Sequence, residues 1–327
     1  SRRQRQMCIR DRYKMITGLA AGIFWAADTI ILGIALAMTP FVSTQQAIFL
    51  APFVSTFLHD FCSAVWMLFY MGIRKQMKNV VRALKTRSGK FIILGALFGG
   101  PIGMTGYVFA IKYLGATYTA MISAMFPALG AVLSYIFLKE RMKPIQIMGF
   151  IVSIGGMVAL GYTPGGSQIS NFGLGFACAL LCVVGWAVEV VICAYGMKDP
   201  NVNNEHALMI RQMTSAVFYG AVILTVIKGW GFTADIVLSK TTAIILIAAF
   251  FGTASYLCYY KAINTLGAAR GMALDITYSA WSIVLALIFL GQMPDVKSVI
   301  CGILILLGSL TAAADLKEIL GMKAKTA

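Results

Sequence analysis

The chain has 327 residues, of which 59% are hydrophobic and 12% charged. A typical soluble domain is about 25% charged, and a compact globule in water needs a polar surface. This composition therefore excludes a disordered chain, a coiled coil and an ordinary soluble enzyme, and points to a surface that faces lipid. The net charge is +15, from 27 Lys and Arg against 12 Asp and Glu, and its meaning depends on where the charges sit, because a basic excess serves nucleic acid or an anionic surface equally well.

Residues 1–14 read as a basic arm. Ser1 to Arg12 hold five Arg and one Asp without periodicity, and they fit a cytoplasmic arm or a non-native leader equally well, so they are set aside from fold reasoning. Removing their net +4 leaves +11. The first apolar stretch is as long as a full span and lacks an A-x-A exit, so no cleavable signal peptide is expected.

Ten apolar runs follow, at 15–38, 47–73, 91–111, 116–138, 144–162, 173–196, 207–227, 243–263, 268–290 and 296–314. Each approaches the 20 or so residues that a helix needs to cross a bilayer. Turn chemistry separates them, as in Thr163-Pro-Gly-Gly-Ser167, Lys198-Asp-Pro-Asn201 and Gly291-Gln-Met-Pro294. Gly and Ala inside the runs suit close helix–helix approach in lipid. All seven Cys but Cys8 lie in apolar runs, and no metal-ligand spacing is present, so they read as packing residues rather than disulfide or metal ligands.

Lys and Arg in short loops set orientation. With the N-terminus inside, 20 of them fall on the inner side: the arm, the segment Arg74 to Lys90, Lys139, Arg141, Lys143, Lys198 and the tail. Only Lys112, Lys228, Lys240 and Lys297 fall outside. The basic excess is thus read as membrane topology rather than nucleic-acid binding, with both termini in the cytoplasm.

The chain also repeats itself. Shifted by 152 residues, Ala110-Ile-Lys-Tyr-Leu-Gly-Ala116 falls on Ala262-Ile-Asn-Thr-Leu-Gly-Ala268, and Gly156 on Gly308. With nine more residues, Trp25-Ala-Ala-Asp28 falls on Trp186-Ala-Val-Glu189. The expected fold is an all-α integral membrane protein with ten transmembrane helices in two inverted five-helix repeats. The first repeat covers 15–162, a linker 163–172, the second repeat 173–314 and a cytoplasmic tail 315–327. Five is odd, so the second copy sits upside down, an arrangement that in carriers places substrate near the midplane between the halves.

Ten spans in two fives, with Leu133-Ser-Tyr-Ile-Phe-Leu-Lys-Glu-Arg141 running on to Gly149 and Gly155-Gly156, and the counterpart from Leu285 to Gly291-Gln292 with Gly302 and Gly308, resemble the drug/metabolite transporter superfamily and its EamA-type members. The second copy departs from the first where Lys139-Glu-Arg141 becomes Gly291-Gln-Met293. The resemblance implies a cytoplasmic-membrane carrier for amino acids, other metabolites or drugs, often a proton-driven exporter. It also implies that spans 1, 3, 4, 6, 8 and 9 line the cavity while 5 and 10 buttress it.

An ionisable group within the bilayer is costly and is a functional candidate by default. Asp28 and Glu189 each follow a Trp by three residues, so acid and ring share a helix face. They are the candidate proton-coupling carboxylates or anchors for a cationic group, with Trp25 and Trp186 as aromatic walls; the competing reading is packing near a helix break. His59, Asp60 and Arg211 are candidates for a gate or an interhelical pair. Tyr107, Tyr118, Tyr256, Tyr259, Asp275, Tyr278 and Trp281 complete the substrate-binding candidates, against the competing reading of ordinary interfacial aromatics.

No H-E-x-x-H, G-x-S-x-G, P-loop or dinucleotide fingerprint occurs in the sequence, so no catalytic residue, metal or cofactor is assigned and direct ATP drive is excluded. The expected partners are a small-molecule substrate and membrane lipids, with monomer and homodimer both open. The functional expectation is a secondary transporter working by alternating access, as a proton-coupled exporter. The alternatives are an anion or sugar-phosphate exchanger, which would use Arg211, Lys261 and Arg270, and an uncoupled facilitator.

Overall fold

A computed structural model describes residues 2–138, 143–161, 171–266 and 268–313, with side chains from residue 16 onward except at 138, 161, 268–270 and 313. The arm's side chains, Lys139 and Arg141, most of the linker, the Arg270 side chain and the tail lie outside the described residues.

The described residues are helical, with no strand among them. α1 (Arg2–Leu36) begins within the arm, where the sequence shows no periodicity. α2 (Gln45–Ile73) starts at Thr44, whose hydroxyl accepts from the Ala47 amide at 3.0 Å and so satisfies a donor that the first turn leaves open. The basic stretch that follows folds into α3 (Met77–Leu84), which buries Val80 and Ala83 and leaves Lys78 and Arg82 exposed. The third apolar run is α4 (Arg87–Leu97), a π-helical turn over Phe98–Met104 and α5 (Thr105–Leu114). Pro101 lies inside that turn, where it has no amide to donate.

The chain then turns at Gly115 into α6 (Ala116–Ser123) and α7 (Phe126–Leu138), followed by α8 (Pro144–Gly161). In the second half come α9 (Phe172–Gly196), α10 (Asn204–Phe218) with a π turn over Tyr219–Leu224, and the short α11 (Trp230–Val237). The remaining helices are α12 (Lys240–Leu266), α13 (Ala268–Asp275), α14 (Tyr278–Leu290) and α15 (Val296–Ala313).

Eight helical stretches are long and apolar enough to cross a membrane. Two of the ten apolar runs form shorter helices, Pro144–Leu160 and Val296–Ala312. At 1.5 Å per residue these span roughly 26 Å against a hydrocarbon core of about 30 Å. Their large apolar side chains face outward, Ile151 at 61% and Leu307 at 53% exposed, as do Phe69, Phe137 and Phe289 elsewhere. A surface of this kind has lipid as its solvent. The protein is a multi-pass membrane protein.

Every boundary of α13, α14 and α15 lies 152 residues after the matching boundary of α6, α7 and α8. Both pairs α6/α7 and α13/α14 therefore break at corresponding positions, Ala124–Met125 and Ile276–Thr277. Packing is reciprocal as well: α1 lies against α12, as α9 lies against α4 and α5; α2 meets α10, and α8 meets α15.

The α8–α15 contact is close because glycines face it. A Cβ on Gly149 would stand 2.7 Å from the Gly308 carbonyl oxygen, and one on Gly156 would stand 3.1 Å from the Cys301 carbonyl oxygen. At its centre Ser153 donates to the Ile305 carbonyl at 3.3 Å and bonds Ser309 at 2.8 Å.

Candidate functional site

The centre of the bundle holds five ionisable side chains in one chain of contacts. Asp28 comes from α1, His59 and Asp60 from α2, Arg211 from α10 and Glu189 from α9. None is more than 4% exposed. His59 Nε2 lies 2.9 Å from Asp28 Oδ1, and its Nδ1 lies 3.3 Å from Asp60 Oδ1. Asp60 Oδ1 is 3.9 Å from an Arg211 Nη, and its other oxygen accepts from the Ser215 hydroxyl. Arg211 donates from Nε to Glu189 Oε1, from Nη1 to Gln212 and from Nη2 to the Tyr256 hydroxyl, each at 2.9 Å. Its guanidinium also stands 4.5 Å from the Tyr256 ring centroid.

Local backbone makes room for this cluster. A Cβ on Gly99, in the π turn, would overlap the Glu189 carboxylate, and one on Gly252 of α12 would stand 2.9 Å from His59 Nε2.

The hydrogen bonds carry a proton count. An ionised carboxylate only accepts, and a neutral imidazole has one donor. Both His59 nitrogens face carboxylate oxygens, so both bonds form only when the triad Asp28–His59–Asp60 holds one proton beyond the neutral imidazole and two carboxylates.

Beside this chain is an aromatic wall. Trp25 meets Trp186 edge to face at 5.4 Å and Tyr256 at 5.2 Å. Tyr107 lies 4.8 Å from the Trp186 ring and bonds Thr29 at 2.6 Å. A cavity of about 30 Å³ is bounded by both Trp, Phe126, Glu189, Ser255, Tyr256, Tyr259 and Asp275. Four of its lining residues present a buried polar atom without a hydrogen-bond partner: Trp25 Nε1, Trp186 Nε1, Tyr259 Oη and Asp275 Oδ1. Buried polar groups are nearly always satisfied, so these atoms give the void polar hydrogen-bonding capacity that the surrounding side chains leave unused.

The sequence candidates divide accordingly. Trp25, Trp186, Glu189, Tyr256, Tyr259 and Asp275 line the cavity, and Asp28, His59, Asp60 and Arg211 form the ion chain. Tyr107 stands behind the wall. Tyr278 is fully buried and bonded to Ser123 at 2.6 Å rather than facing the cavity. Trp281 is 39% exposed and does not line the cavity; it lies six residues after Asp275, about 240° around a helix of 3.6 residues per turn. Tyr118, in the first turn of α6, donates to Asp295 at 2.9 Å and does not line the cavity.

Three further residues belong to the site without having been candidates: Ser215, Phe126 and Tyr260, whose hydroxyl donates to Glu189 Oε1 at 3.4 Å. Ser215 lies one turn after Arg211 and Tyr260 one turn after Tyr256, so a face-by-face reading would have found both; Phe126 gives no such signal. Two polar latches sit at helix ends. Asp295 accepts from Tyr118 and from the Ser298 hydroxyl at 2.6 Å and amide at 3.0 Å, and these bonds, the Ser298 hydroxyl first, hold its carboxyl down at about 2. Glu205 of α10 accepts from Tyr70 of α2 at 2.9 Å, with Arg74 at 3.4 Å.

The comparisons agree with this architecture. A crystal structure of another protein superposes with a TM-score of 0.60 over 92% of this chain and 97% of its own, at 18% identity. Protein LicB of Haemophilus influenzae is 32% identical over 277 residues, covering 84% of this chain and 88% of its own length. An uncharacterized transporter of Clostridium kluyveri is 26% identical over 276 residues, covering 77% of this chain and 85% of its own. The family model for EamA-like transporters matches twice, at 13–162 and 173–313. The chain belongs to the EamA-like transporter family and is a membrane transporter.

Proposed function

We propose that this transporter is a secondary carrier of a small organic cation, working by alternating access in exchange for protons. The observation that carries the substrate class is the cavity itself: aromatic side chains on several sides, and the carboxyl groups of Asp275 and Glu189 in its lining, with Asp275 Oδ1 unpartnered. Aromatic faces attract cations through their quadrupole, and a buried carboxylate oxygen without a partner needs a positive or donating group. At about 30 Å³ the cavity has room for about one water, so substrate enters only when the helices part.

Ten spans in two inverted halves fit this reading. Their support is the double family match, the 152-residue recurrence of helix boundaries and the reciprocal packing. The 20-to-4 partition of Lys and Arg supports cytoplasmic termini. An anion exchanger is less well supported, because Arg211 already meets Glu189, Asp60, Gln212 and Tyr256.

The experiment is uptake into liposomes with and without a pH gradient, using a panel of quaternary ammonium compounds, amino acids and phosphorylated sugars. Gradient-driven accumulation of the ammonium compounds alone is expected. Accumulation of the phosphorylated sugars instead would overturn the reading, and ammonium flux indifferent to the gradient would reduce it to an uncoupled facilitator.

A further inference from the structure

The ion chain is symmetric in position and asymmetric in chemistry. Asp28 and Glu189 are counterparts in the repeat, as are His59 and Arg211. Each acid meets its base at 2.9 Å. In the first half that base is an imidazole; in the second it is a guanidinium, which never gives up its charge. His59 is thus the member whose ordinary charge change falls near neutral pH.

The groups around its ring are few. α1 presents Asp28, α2 presents Asp60, and α10 presents Arg211 through Asp60. α12 presents Gly252 to the ring and gives its Tyr256 hydroxyl to Arg211. Tyr107 of α5 is engaged by Thr29, and Tyr219 of the π turn after α10 by Thr105.

We infer that the two halves divide the work of coupling. The exchanged proton belongs to the first half alone, carried on the His59 imidazole between Asp28 and Asp60, while Glu189–Arg211 is its fixed-charge counterpart in the second half and Asp60 joins the two. The inference rests on the carrier reading and gives it a stoichiometry of one proton, held away from the substrate cavity. Loading the triad adds one positive charge beside a network that reaches the cavity through Arg211 and Glu189. Proton and cationic substrate therefore disfavour each other, which is the requirement for exchange.

Two measurements on the full chain test this. The chain has two His, so His206→Asn leaves His59 as a single imidazole in nitrogen NMR of the detergent-solubilised protein. Protonation of both ring nitrogens at neutral pH, reverting to one in Asp28→Asn, is expected. A ring with one protonated nitrogen, unaltered by Asp28→Asn, overturns the assignment whether or not transport is seen.

In liposomes, His59→Arg makes the halves alike, and proton movement accompanying tetramethylammonium exchange, read with an internal pH dye, is expected to disappear. Arg211→Lys keeps a fixed charge and retains proton movement in whatever exchange remains. Proton movement persisting in His59→Arg overturns the inference. A wild-type protein that moves no tetramethylammonium counts against the carrier reading instead, leaving the NMR result to decide the place of the proton.

Discussion

Glu189 and Arg211 face each other at 2.9 Å from two helices consecutive in the chain, both almost wholly shielded. Removing one member of such a pair strands the other's charge. Arg211→Ala is expected to destabilise the protein by about 3–5 kcal/mol, read as a lowered melting temperature in detergent. The double variant Arg211→Gln with Glu189→Gln should recover much of that loss while remaining inactive. Equal stability of the single and double variants would show that the pair does not act as a unit.

The aromatic wall predicts a graded response. A cation–π contact contributes about 0.5–2 kcal/mol, so Trp25→Ala should weaken apparent affinity for a quaternary ammonium substrate by about 2- to 30-fold, and Trp25→Phe by less. Asp275→Asn should abolish uptake of that substrate in a protein that still melts cooperatively. The measurement is concentration-dependent uptake at fixed pH, and an Asp275→Asn protein with unchanged affinity would remove the carboxylate from the substrate site.

The close α8–α15 contact predicts a stability effect separate from transport affinity. A Cβ on Gly308 would stand 2.6 Å from the Ser153 amide nitrogen and 2.7 Å from the Gly149 carbonyl oxygen. Gly308→Ala should therefore cost about 1–3 kcal/mol through forced separation of α8 and α15, with substrate affinity intact. Melting and uptake measured on the same preparation separate the two.

Asp295 gives a pH prediction of definite sign. Its folded-state value of about 2 lies below the ordinary aspartate value of about 3.9. The stabilisation it provides is therefore present above about pH 4 and lost as the pH falls through about 2. The melting difference between wild type and Asp295→Asn should be constant near neutrality and vanish in strong acid. Transport between about pH 5 and 8 should owe none of its pH dependence to this latch.

Much of the architecture was legible because lipid imposes a simple rule: apolar runs of a certain length become helices. The Trp25–Asp28 and Trp186–Glu189 spacings carried the two acids and the wall to one place, since residues three apart share a face. What the sequence could not disclose is partnership across helices. Nothing in the run around His59 says that Asp28, 31 residues earlier, meets it. The exposure of Trp281 was within reach of spacing, since residues six apart on a helix point about 240° apart and Asp275 lines the cavity. α3 went unrecognised for a different reason: eight residues are too few for an apolar pattern to stand out against Lys78 and Arg82.

Ser153 and Ile305 are 152 positions apart, and they touch. Under the proposed relation of two inverted halves, a contact between a residue and its own counterpart sits on the axis that relates them. If one copy adopts the shape of the other during the cycle, a distance measured across that axis returns to its starting value, whereas distances to either side lengthen and shorten in opposition. The pair is a natural internal ruler: spectroscopic labels at its exposed neighbours on α8 and α15 supply the fixed reference against which the opening of each end can be read.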